Sequence, residues 1–270
     1  MSETDKVFAG TIPDVYDDYL VPMIFESYAS DLARRVAALE PKSVLETAAG
    51  SGVVTRALAP LLSDEACYLV TDLNQPMLDR AASRQPADER IGWQQADALN
   101  LPFAEETFDA ICCQFGVMFF PDKVAGYRSA LRALREGGKF IFNVWDRIEE
   151  NEFADSVTKT ASAIFHDDPP LFLARTPHGY HDVEMIDSEL RTAGFVSVEI
   201  HTIPDESRAE NPRIPAVAYC QGTPLRNELE ARDPARIEEV TDRATVDLER
   251  RYGSGPVSGK IQGHVVVATR

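Results

Sequence analysis

The amino-acid sequence predicts an α/β fold, a doubly wound and mostly parallel sheet of seven strands covered by helices. Three observations lead to this prediction. An apolar strand runs through Glu46 into a glycine-bearing turn, Gly50 to Gly52, and then into a helix. A second short strand ends in Asp72, 20 residues beyond Gly52. Further on, continuous apolar runs alternate with helical patterns, as in parallel sheets that are buried on both faces.

The first element is a helical segment that covers residues 1–40 and precedes the sheet. Residues 31–39 place apolar side chains at helical spacing, and Pro41 ends the helix. An aromatic and acidic stretch upstream contains Tyr16 and Tyr19. Packing against the core explains these two tyrosines as readily as contact with a ligand does.

The strand-turn-helix unit that follows is typical of nucleotide-like cofactor binding. Gly50 and Gly52 lack a Cβ, so the turn can adopt positive φ and a ligand can approach the backbone closely. The helix after the turn offers unpaired N–H groups in its first turn. Small residues also build ordinary tight turns, so this unit alone does not decide the function.

Polar residues at the ends of the next strands strengthen the interpretation. Asp72 ends the second strand, at the position where doubly wound sheets hold a ribose through its two hydroxyls. Asp97 follows the third predicted strand, and Gln114 lies at the end of the fourth. An acid at a strand end also caps the following helix in many proteins, and this alternative applies to both Asp72 and Asp97.

The later elements complete the expected count of seven strands. Asp122 is a plausible N-cap for a helix that Gly137-Gly138 is expected to end, and residues 139–146 read as the fifth strand. The sixth and seventh strands are predicted at residues 196–203 and 261–268. No flexible linker divides the chain, so we expect a single domain, 1–270. Its parts are the N-terminal cover 1–40, a cofactor-binding core 41–146, and helical insertions at 147–182 and 204–257 that are expected to cap an acceptor site.

Composition narrows the function classes. The chain has 270 residues, a formal net charge of −17 and 44% hydrophobic residues. This charge disfavours nucleic acid, because phosphate backbones would be repelled and no basic cluster is present. The longest apolar stretch is too short for a transmembrane helix, and the acidic start lacks a basic region, so we expect a cytoplasmic protein. The four cysteines form no zinc-binding pattern, and His178-x-x-His181 lacks a third ligand, so no metal is predicted.

Several motifs, taken in order, resemble the class I S-adenosylmethionine-dependent methyltransferases, most closely the group that includes the ubiquinone and menaquinone biosynthesis methyltransferases. Glu46-x-Ala48-x-Gly50-x-Gly52 is similar to the acidic glycine loop of that family. Asp72 is similar to its ribose acid and Asp97-Ala98 to its adenine-binding pair. The chain departs from the family pattern where Ala48 replaces the first glycine. Such a replacement is mild at negative φ and strained at positive φ.

The resemblance implies a Rossmann-like sheet whose last strand is antiparallel. It also implies S-adenosyl-L-methionine as cofactor and S-adenosyl-L-homocysteine as product. The cofactor-binding residues that it implies are Tyr16, Tyr19, Glu46, Thr47, Ala48, Gly50, Gly52, Asp72, Leu73, Met77, Asp97, Ala98, Gln114 and Phe115.

The cofactor chemistry limits what the protein must supply. A sulfonium methyl group is already activated, so alignment of an acceptor and exclusion of water carry most of the catalysis. We expect a small organic acceptor, apolar or aromatic in character. No catalytic residue stands out; His178, Tyr180 and His181 are candidates for a general base, and Trp145 for stacking on the acceptor. Surface or packing roles explain each of them as well.

Two other functions remain open from the sequence. An NAD(P)-dependent oxidoreductase would share the first turn and the ribose acid, but Thr55 stands where dinucleotide binding favours Gly or Ala, and no Tyr-x-x-x-Lys pair is present. A protein that binds the methyl donor or its product for regulation, without turnover, would share every motif. The sequence does not decide between a monomer and a homodimer.

Overall fold

The computed structural model describes residues 12–270, and residues 1–11, the start of the predicted N-terminal cover, lie outside the described residues. The described part holds one seven-stranded sheet with the strand order β3-β2-β1-β4-β5-β7-β6. The strands are β1 Ser43–Glu46, β2 Cys67–Asp72, β3 Ile91–Gln95, β4 Phe108–Gln114, β5 Leu134–Trp145, β6 Ser197–Ala209 and β7 Val257–Thr269.

Strands β1 to β5 pair in parallel. Strand β7 runs antiparallel to β5. Near the start of β5 the Gly137 amide donates to the carbonyl of Arg270, just after β7, and just past the end of β5 the Asp146 amide donates to the carbonyl of Gln262, within β7. The predicted fold class is confirmed, including the antiparallel last strand.

The α-helices of the described part are α1 Ile12–Val15, α2 Glu26–Ala37, α3 Val53–Leu58, α4 Gln75–Arg84, α5 Lys123–Ala133, α6 Glu152–Ile164, α7 Phe172–Arg175, α8 Val183–Ala193, α9 Arg213–Gln221, α10 Leu225–Arg232 and α11 Ile237–Tyr252. A π-helical segment, Tyr16–Phe25, joins α1 to α2 and contains Pro22. Single 3₁₀ turns occur at Ala59–Leu61, Ala98–Asn100, Val117–Phe119, Ile148–Glu150 and Pro234–Arg236.

The chain forms two compact units, which are described separately. The sheet unit comprises residues 26–144, 182–202 and 264–270. The helical unit comprises residues 1–25, 145–181 and 203–263, described from residue 12. The helical unit therefore contains most of both predicted insertions, and the sheet unit contains nearly all of the predicted core.

The centre of the sheet unit is apolar on both faces of the sheet. Val44 of β1 pairs with Tyr68 of β2 on one side and with Ala110 of β4 on the other. Val44, Leu45 and Ile111 are fully buried. Burial of each such aliphatic side chain contributes about 1.5–3 kcal/mol relative to exposure, so this run of apolar residues stabilises the centre of the sheet.

The end of α5 differs from the prediction. The helix stops at Ala133 rather than at the glycine pair, and Leu134 already pairs with Phe108 of β4. A register shift follows between Phe108 and Ala110, which pairs with Lys139. Gly137 lies inside the extended segment with φ of 74°. The helical preference of the local sequence is overridden because the backbone of residues 134–138 finds partners in neighbouring strands.

The helical unit has its own apolar core. Val240, Ala244 and Leu248 lie along one face of α11 and are fully buried, as their helical spacing predicts. Over residues 12–270, no helix combines the length and the apolar composition that a bilayer-crossing segment requires.

Candidate cofactor site

The loop after β1 is tied to both neighbouring strands of the sheet unit. The Thr47 amide bonds the Cys112 carbonyl of β4 at 2.9 Å, and the Ala49 amide bonds the Thr71 carbonyl of β2 at 3.0 Å. These bonds bring the backbone of residues 47–52 to the carboxyl ends of three adjacent parallel strands. Ligands of doubly wound sheets bind at this edge.

The two glycines of the loop have different tasks. Gly52 has φ of 79°, and a Cβ on it would lie 2.9 Å from the Cβ of Ala81 in α4. Gly52 therefore permits close packing of the loop against a helix. Gly50 has φ of 57°, and the nearest atom to its missing Cβ is the Met77 methyl at 3.9 Å. The open side of the loop lies at Gly50, as close approach of a ligand to the backbone requires.

Ala48 adopts the left-handed conformation, with φ of 52°. The replacement of the first family glycine is therefore the strained case, which costs on the order of 1 kcal/mol. The Ala48 Cβ occupies the space beside Gly116, where a Cβ on Gly116 would approach it to 2.6 Å. The loop after β4 leaves room for this alanine because it carries a glycine at that point.

Asp72 is buried and bonds the loop directly. One carboxylate oxygen accepts the Gly50 amide at 2.8 Å and the other accepts the Asn74 amide at 2.7 Å. Burial raises the pKa of Asp72, and these backbone hydrogen bonds oppose the shift. Each carboxylate oxygen has a further lone pair, so the group retains capacity for the two ribose hydroxyls.

The residues predicted to surround an adenine lie close in sequence to Asp72 and to the end of β3. Leu73 is 48% exposed, which is unusual for a leucine beside a buried acid. Asp97 is exposed, and its carboxylate accepts the Leu99 amide at 2.9 Å, so it caps the turn that begins at Ala98. The capping role is thus observed, and contact of Asp97 and Ala98 with adenine stays a prediction.

The end of β4 carries another residue with positive φ. Phe115 has φ of 46°, is buried, and contacts Tyr28 edge-on with the ring centroids 5.3 Å apart. The Phe115 amide donates to the side-chain oxygen of Asn143 at 2.9 Å and to the Asn143 carbonyl at 3.2 Å. Gln114 beside it is half-buried. Sequence reasoning missed Asn143, although a lone amide side chain in an apolar strand is the signal that points to it.

Glu46 turns into the interior of the sheet unit. It is 1% exposed, and one carboxylate oxygen accepts hydrogen bonds from the Thr55 hydroxyl at 2.7 Å and from the Tyr68 hydroxyl. Burial raises the pKa of Glu46 to about 7. Sequence reasoning missed both hydroxyl partners. The predicted contact of Glu46 with the cofactor has no direct support in this arrangement and stays a prediction.

Tyr16, Tyr19 and Trp145 belong to the helical unit. The rings of Tyr16 and Phe25 stack with their centroids 5.1 Å apart, and the centroids of Phe25 and Trp145 are 6.0 Å apart. Trp145 is buried. Tyr19 is 37% exposed. Tyr16 and Trp145 thus have observed packing roles, whereas Tyr19 presents part of its ring to the outside of its helix.

The predicted base candidates also belong to the helical unit. His178 is 5% exposed, and its ring centroid lies 5.9 Å from that of Trp145. Its Nδ1 is 2.8 Å from the Asp146 carbonyl oxygen. Nδ1 must be the donor in that bond, which leaves the lone pair on Nε2. Burial lowers the pKa of His178 to about 4. His181 bonds the His178 carbonyl through Nδ1 at 2.9 Å, and Tyr180 is buried.

A cavity of about 640 Å³ lies within the helical unit. Its apolar wall comes from the π-helical segment, from α9 and from the start of β7, and charged side chains lie at its edge. The lining residues are Asp18, Tyr19, Pro22, Met23, Arg208, Ala209, Glu210, Ile214, Pro256, Val257 and Ser258. In residues 12–270, no three His, Cys, Asp or Glu side chains come together as a metal-binding group.

The loop fits the adenosyl cofactor that the resemblance implies. Gly50 leaves the backbone open, Asp72 supplies a carboxylate beside it, and Leu73 supplies an exposed apolar surface. Ser51 is buried, and its hydroxyl has no hydrogen-bond partner in the described part of the chain. A buried hydroxyl without a partner is costly, so a ligand group that bonds Ser51 would be favoured there.

Comparisons with known proteins identify the family. A methyltransferase-domain family model matches residues 44–138. Demethylmenaquinone methyltransferase of Clavibacter sepedonicus is 28% identical over 181 residues, which cover 62% of this chain and 70% of the relative. The enzyme of the same name from Corynebacterium kroppenstedtii is 30% identical over 173 residues, 59% of this chain and 72% of the relative.

A solved structure shows the same fold. Phosphoethanolamine N-methyltransferase 2 of Haemonchus contortus, in complex with phosphomonomethylethanolamine and S-adenosylhomocysteine, matches with a TM-score of 0.63 at 15% identity. The match covers 98% of this chain and 59% of that one. The chain therefore belongs to the class I S-adenosylmethionine-dependent methyltransferases, close to the ubiquinone and menaquinone biosynthesis group, and S-adenosylmethionine is its cofactor.

Proposed function

We propose that this methyltransferase transfers a methyl group in line to a small organic acceptor with an apolar or aromatic body. The observation that carries the proposal is the loop after β1, whose open side at Gly50 is joined to the Asp72 carboxylate by a 2.8 Å hydrogen bond. Two relatives of this chain are named demethylmenaquinone methyltransferases, and their name specifies a quinone, an acceptor of apolar aromatic character. The strongly negative net charge disfavours a polyanionic acceptor.

Each part of the cofactor has a proposed partner in the sheet unit. Asp72 accepts hydrogen bonds from the two ribose hydroxyls. Leu73 lies against one face of the adenine, and Asp97 accepts a hydrogen bond from the adenine amino group while the Ala98 amide donates to the ring. Met77, which lies beside Gly50, contributes apolar contact below the loop.

The methionine end is assigned to the glycine loop and to the end of β4. Backbone amides of Thr47 to Gly52 donate to the carboxylate of the methionine moiety, and the Ser51 hydroxyl supplies a further hydrogen bond. Gln114 and Phe115 line the face on which transfer occurs. The expected contacts of Tyr16 and Tyr19 with the cofactor stay predictions.

The cofactor supplies an activated methyl group, and sulfur keeps the electron pair of the broken S–CH₃ bond when the acceptor bonds the carbon. The protein residues contribute by holding the acceptor in line and by excluding water. Alignment of this kind is worth about 7–11 kcal/mol when it is complete. The buried, bonded positions of Glu46, Asp72 and Phe115 suit that task, because rigid side chains preserve alignment.

We assign the acceptor to the insertions at 147–182 and 204–257, within the same methyltransferase domain as the core. The 640 Å³ cavity of the helical unit has the size of a small-molecule site and an apolar wall that includes Met23, Ile214 and Val257. His178 is a weak proton acceptor at neutral pH because burial lowers its pKa to about 4. Its Nε2 lone pair can accept a hydrogen bond from an acceptor hydroxyl, although His178 is not among the residues that line the cavity. Tyr180, His181 and Trp145 stay candidates for contact with the acceptor.

Calorimetric titration followed by a transfer assay tests the proposal. We expect S-adenosylhomocysteine to bind and NAD not to bind. Methyl-labelled cofactor is then offered to naphthoquinols, phenols, aliphatic carboxylic acids and small polar amines. Label on the apolar aromatic acceptors supports the proposal, and label on the polar amines alone contradicts the acceptor class. Binding without transfer to any acceptor would favour the regulatory alternative.

A further inference from the structure

The Glu46 carboxylate, Thr55 and Tyr68 form a buried cluster beneath the cofactor loop. Both hydroxyls donate to the same carboxylate oxygen, Oε2. Glu46 and Tyr68 are each 1% exposed, and Thr55 is fully buried. Nothing in the resemblance assigns a role to Tyr68, which lies near the start of β2.

The cluster joins the three elements that shape the loop. Glu46 is the last residue of β1, and Thr55 lies in the first turn of α3, so their 2.7 Å bond closes the chain segment between them. Tyr68 belongs to β2, the strand that ends in Asp72. The Thr71 hydroxyl of the same strand donates to the Glu46 carbonyl at 2.8 Å. The loop is thus fixed from below by contacts that involve no ligand.

Several other titratable groups act on Glu46. Asp72 at the end of β2 disfavours its charge, and Arg56 of α3 favours it. Cys112 and Cys113 of β4 are buried nearby, and burial holds the pKa of both thiols above its usual range, so they remain neutral. The Tyr68 hydroxyl also remains neutral, because burial raises its pKa well above 10.

We propose that Tyr68 is a positioning residue for cofactor binding, whose hydroxyl holds the ionised Glu46 in place and thereby fixes the loop from Thr47 to Gly52. The proposal rests on the proposed cofactor contacts of that loop. An ionised Oε2 accepts charge-assisted hydrogen bonds from both hydroxyls, whereas a neutral carboxyl group with its proton on Oε1 accepts weaker ones. Protonation of Glu46 therefore weakens the tie between β1 and α3.

This weakening makes cofactor affinity depend on pH. Because burial raises the pKa of Glu46 to about 7, the tie is complete above neutrality and weakens below it. The Tyr68 hydrogen bond lowers that pKa, so its removal moves the loss of affinity to higher pH.

The test is the affinity of Tyr68→Phe for S-adenosylhomocysteine, measured by calorimetry between pH 6 and 8.5 and divided by the wild-type affinity at each pH. The ratio cancels ionisation of the ligand. We expect Y68F to bind about tenfold more weakly at pH 7. The ratio should move towards one at the alkaline end, because Glu46 is ionised there in both proteins, but it should stay below one, because Y68F still lacks one of the two hydroxyl contacts.

Two further variants separate a positioning role from a structural one. Tyr127→Phe removes a hydroxyl from another fully buried tyrosine of the sheet unit, and we expect a pH-independent ratio near one. Thr55→Val removes the second donor to Oε2 and should shift the pH midpoint in the same direction as Y68F. T55V also provides the answer if Y68F does not fold.

The outcomes are distinct. A Y68F defect of equal size at every pH, or an unshifted midpoint in both variants, overturns the inference while the proposed function stands. Absence of S-adenosylhomocysteine binding by the wild-type protein at all pH values overturns the proposed cofactor contacts, and this inference with them.

Discussion

The Gly50 amide donates a 2.8 Å hydrogen bond to the Asp72 carboxylate. The bond joins the loop after β1 to the end of β2, so one carboxylate serves both the protein and the proposed ribose contact. The second carboxylate oxygen is bonded by Asn74. Loss of this side chain therefore affects the loop as well as the ligand.

Asp72 substitutions should lower both cofactor affinity and stability. Asp72→Ala leaves the Gly50 and Asn74 amides without an acceptor. We expect the free energy of unfolding to fall by about 2–4 kcal/mol. Asp72→Asn keeps one acceptor oxygen and should lose less stability, while its affinity for S-adenosylhomocysteine falls about 30-fold or more. Urea unfolding and calorimetry measure the two effects.

Asp64→Asn is the matched control, since Asp64 is an exposed acid of the same unit. Unchanged affinity in D72N would remove the ribose assignment.

Alanine at the two loop glycines should separate ligand binding from stability. Gly52→Ala places a methyl group 2.9 Å from Ala81 at φ of 79°, so we expect a loss of about 2–4 kcal/mol in unfolding free energy. Gly50→Ala meets no atom closer than 3.9 Å and should lose only about 1 kcal/mol from backbone strain. Its methyl group projects on the open side of the loop, so S-adenosylhomocysteine affinity should fall at least tenfold. Similar affinity losses in the two variants, after correction for unfolded protein, would contradict this division.

The sequence was sufficient for the sheet and for the location of the glycine loop. Apolar runs and turn residues are local signals, so strands β1, β2 and β4 and the polar residues at their ends follow from the sequence pattern. The end of α5 did not follow, because Leu134 extends β5 only through pairing with β4. Local preference cannot report a partner that is distant in sequence.

The same reason explains which site residues were missed. Tyr68 lies 22 residues from Glu46, and Asn143 lies 28 residues from Phe115. Each pair depends on the register between strands, which the sequence does not specify in detail. The positive φ of Ala48 was equally hidden, since alanine rarely adopts it and only the surrounding loop contacts impose it.

Ala48→Gly should leave stability unchanged or raise it. Glycine relieves the strain of φ at 52° but adds conformational entropy to the unfolded chain, and both effects are about 1 kcal/mol. The neighbouring Ala49 has negative φ, so Ala49→Gly has only the entropic cost and should lose about 0.5–1 kcal/mol. Urea unfolding of the two variants compares these terms. Equal destabilisation by both substitutions would show that Ala48 is not strained.

Asn143→Ala should affect the end of β4. The side-chain oxygen of Asn143 bonds the amide of Phe115, which holds a strained φ of 46°. Without this hydrogen bond we expect the free energy of unfolding to fall by about 1–3 kcal/mol. Binding of S-adenosylhomocysteine should also weaken, because the backbone of Phe115 can relax to negative φ. Asn100→Ala, at an exposed position, is the control. Normal affinity in a destabilised N143A protein would restrict Asn143 to a structural role.

Two buried groups should give the stability of the protein opposing dependences on pH. Burial raises the pKa of Glu46 from 4.5 to about 7, so the folded state binds the extra proton between these values. The contribution of Glu46 to the free energy of unfolding is complete below pH 4.5 and is lost as the pH rises through 7. Burial lowers the pKa of His178 from 6.5 to about 4, so the unfolded state binds the extra proton there. That contribution is complete above pH 6.5 and is lost as the pH falls through 4.

Each group changes the free energy of unfolding by roughly 1.4 kcal/mol per pH unit within its window, and the windows overlap between pH 4.5 and 6.5. The two slopes cancel there in the wild-type protein. Glu46→Gln removes one slope, so the stability of E46Q relative to wild type should rise with pH across this range. His178→Asn keeps a donor for the Asp146 carbonyl without titrating, and its relative stability should fall with pH over the same range. Urea unfolding at half-unit pH intervals gives both difference profiles, and a flat profile for either variant would show that its parent residue titrates equally in the folded and unfolded chains.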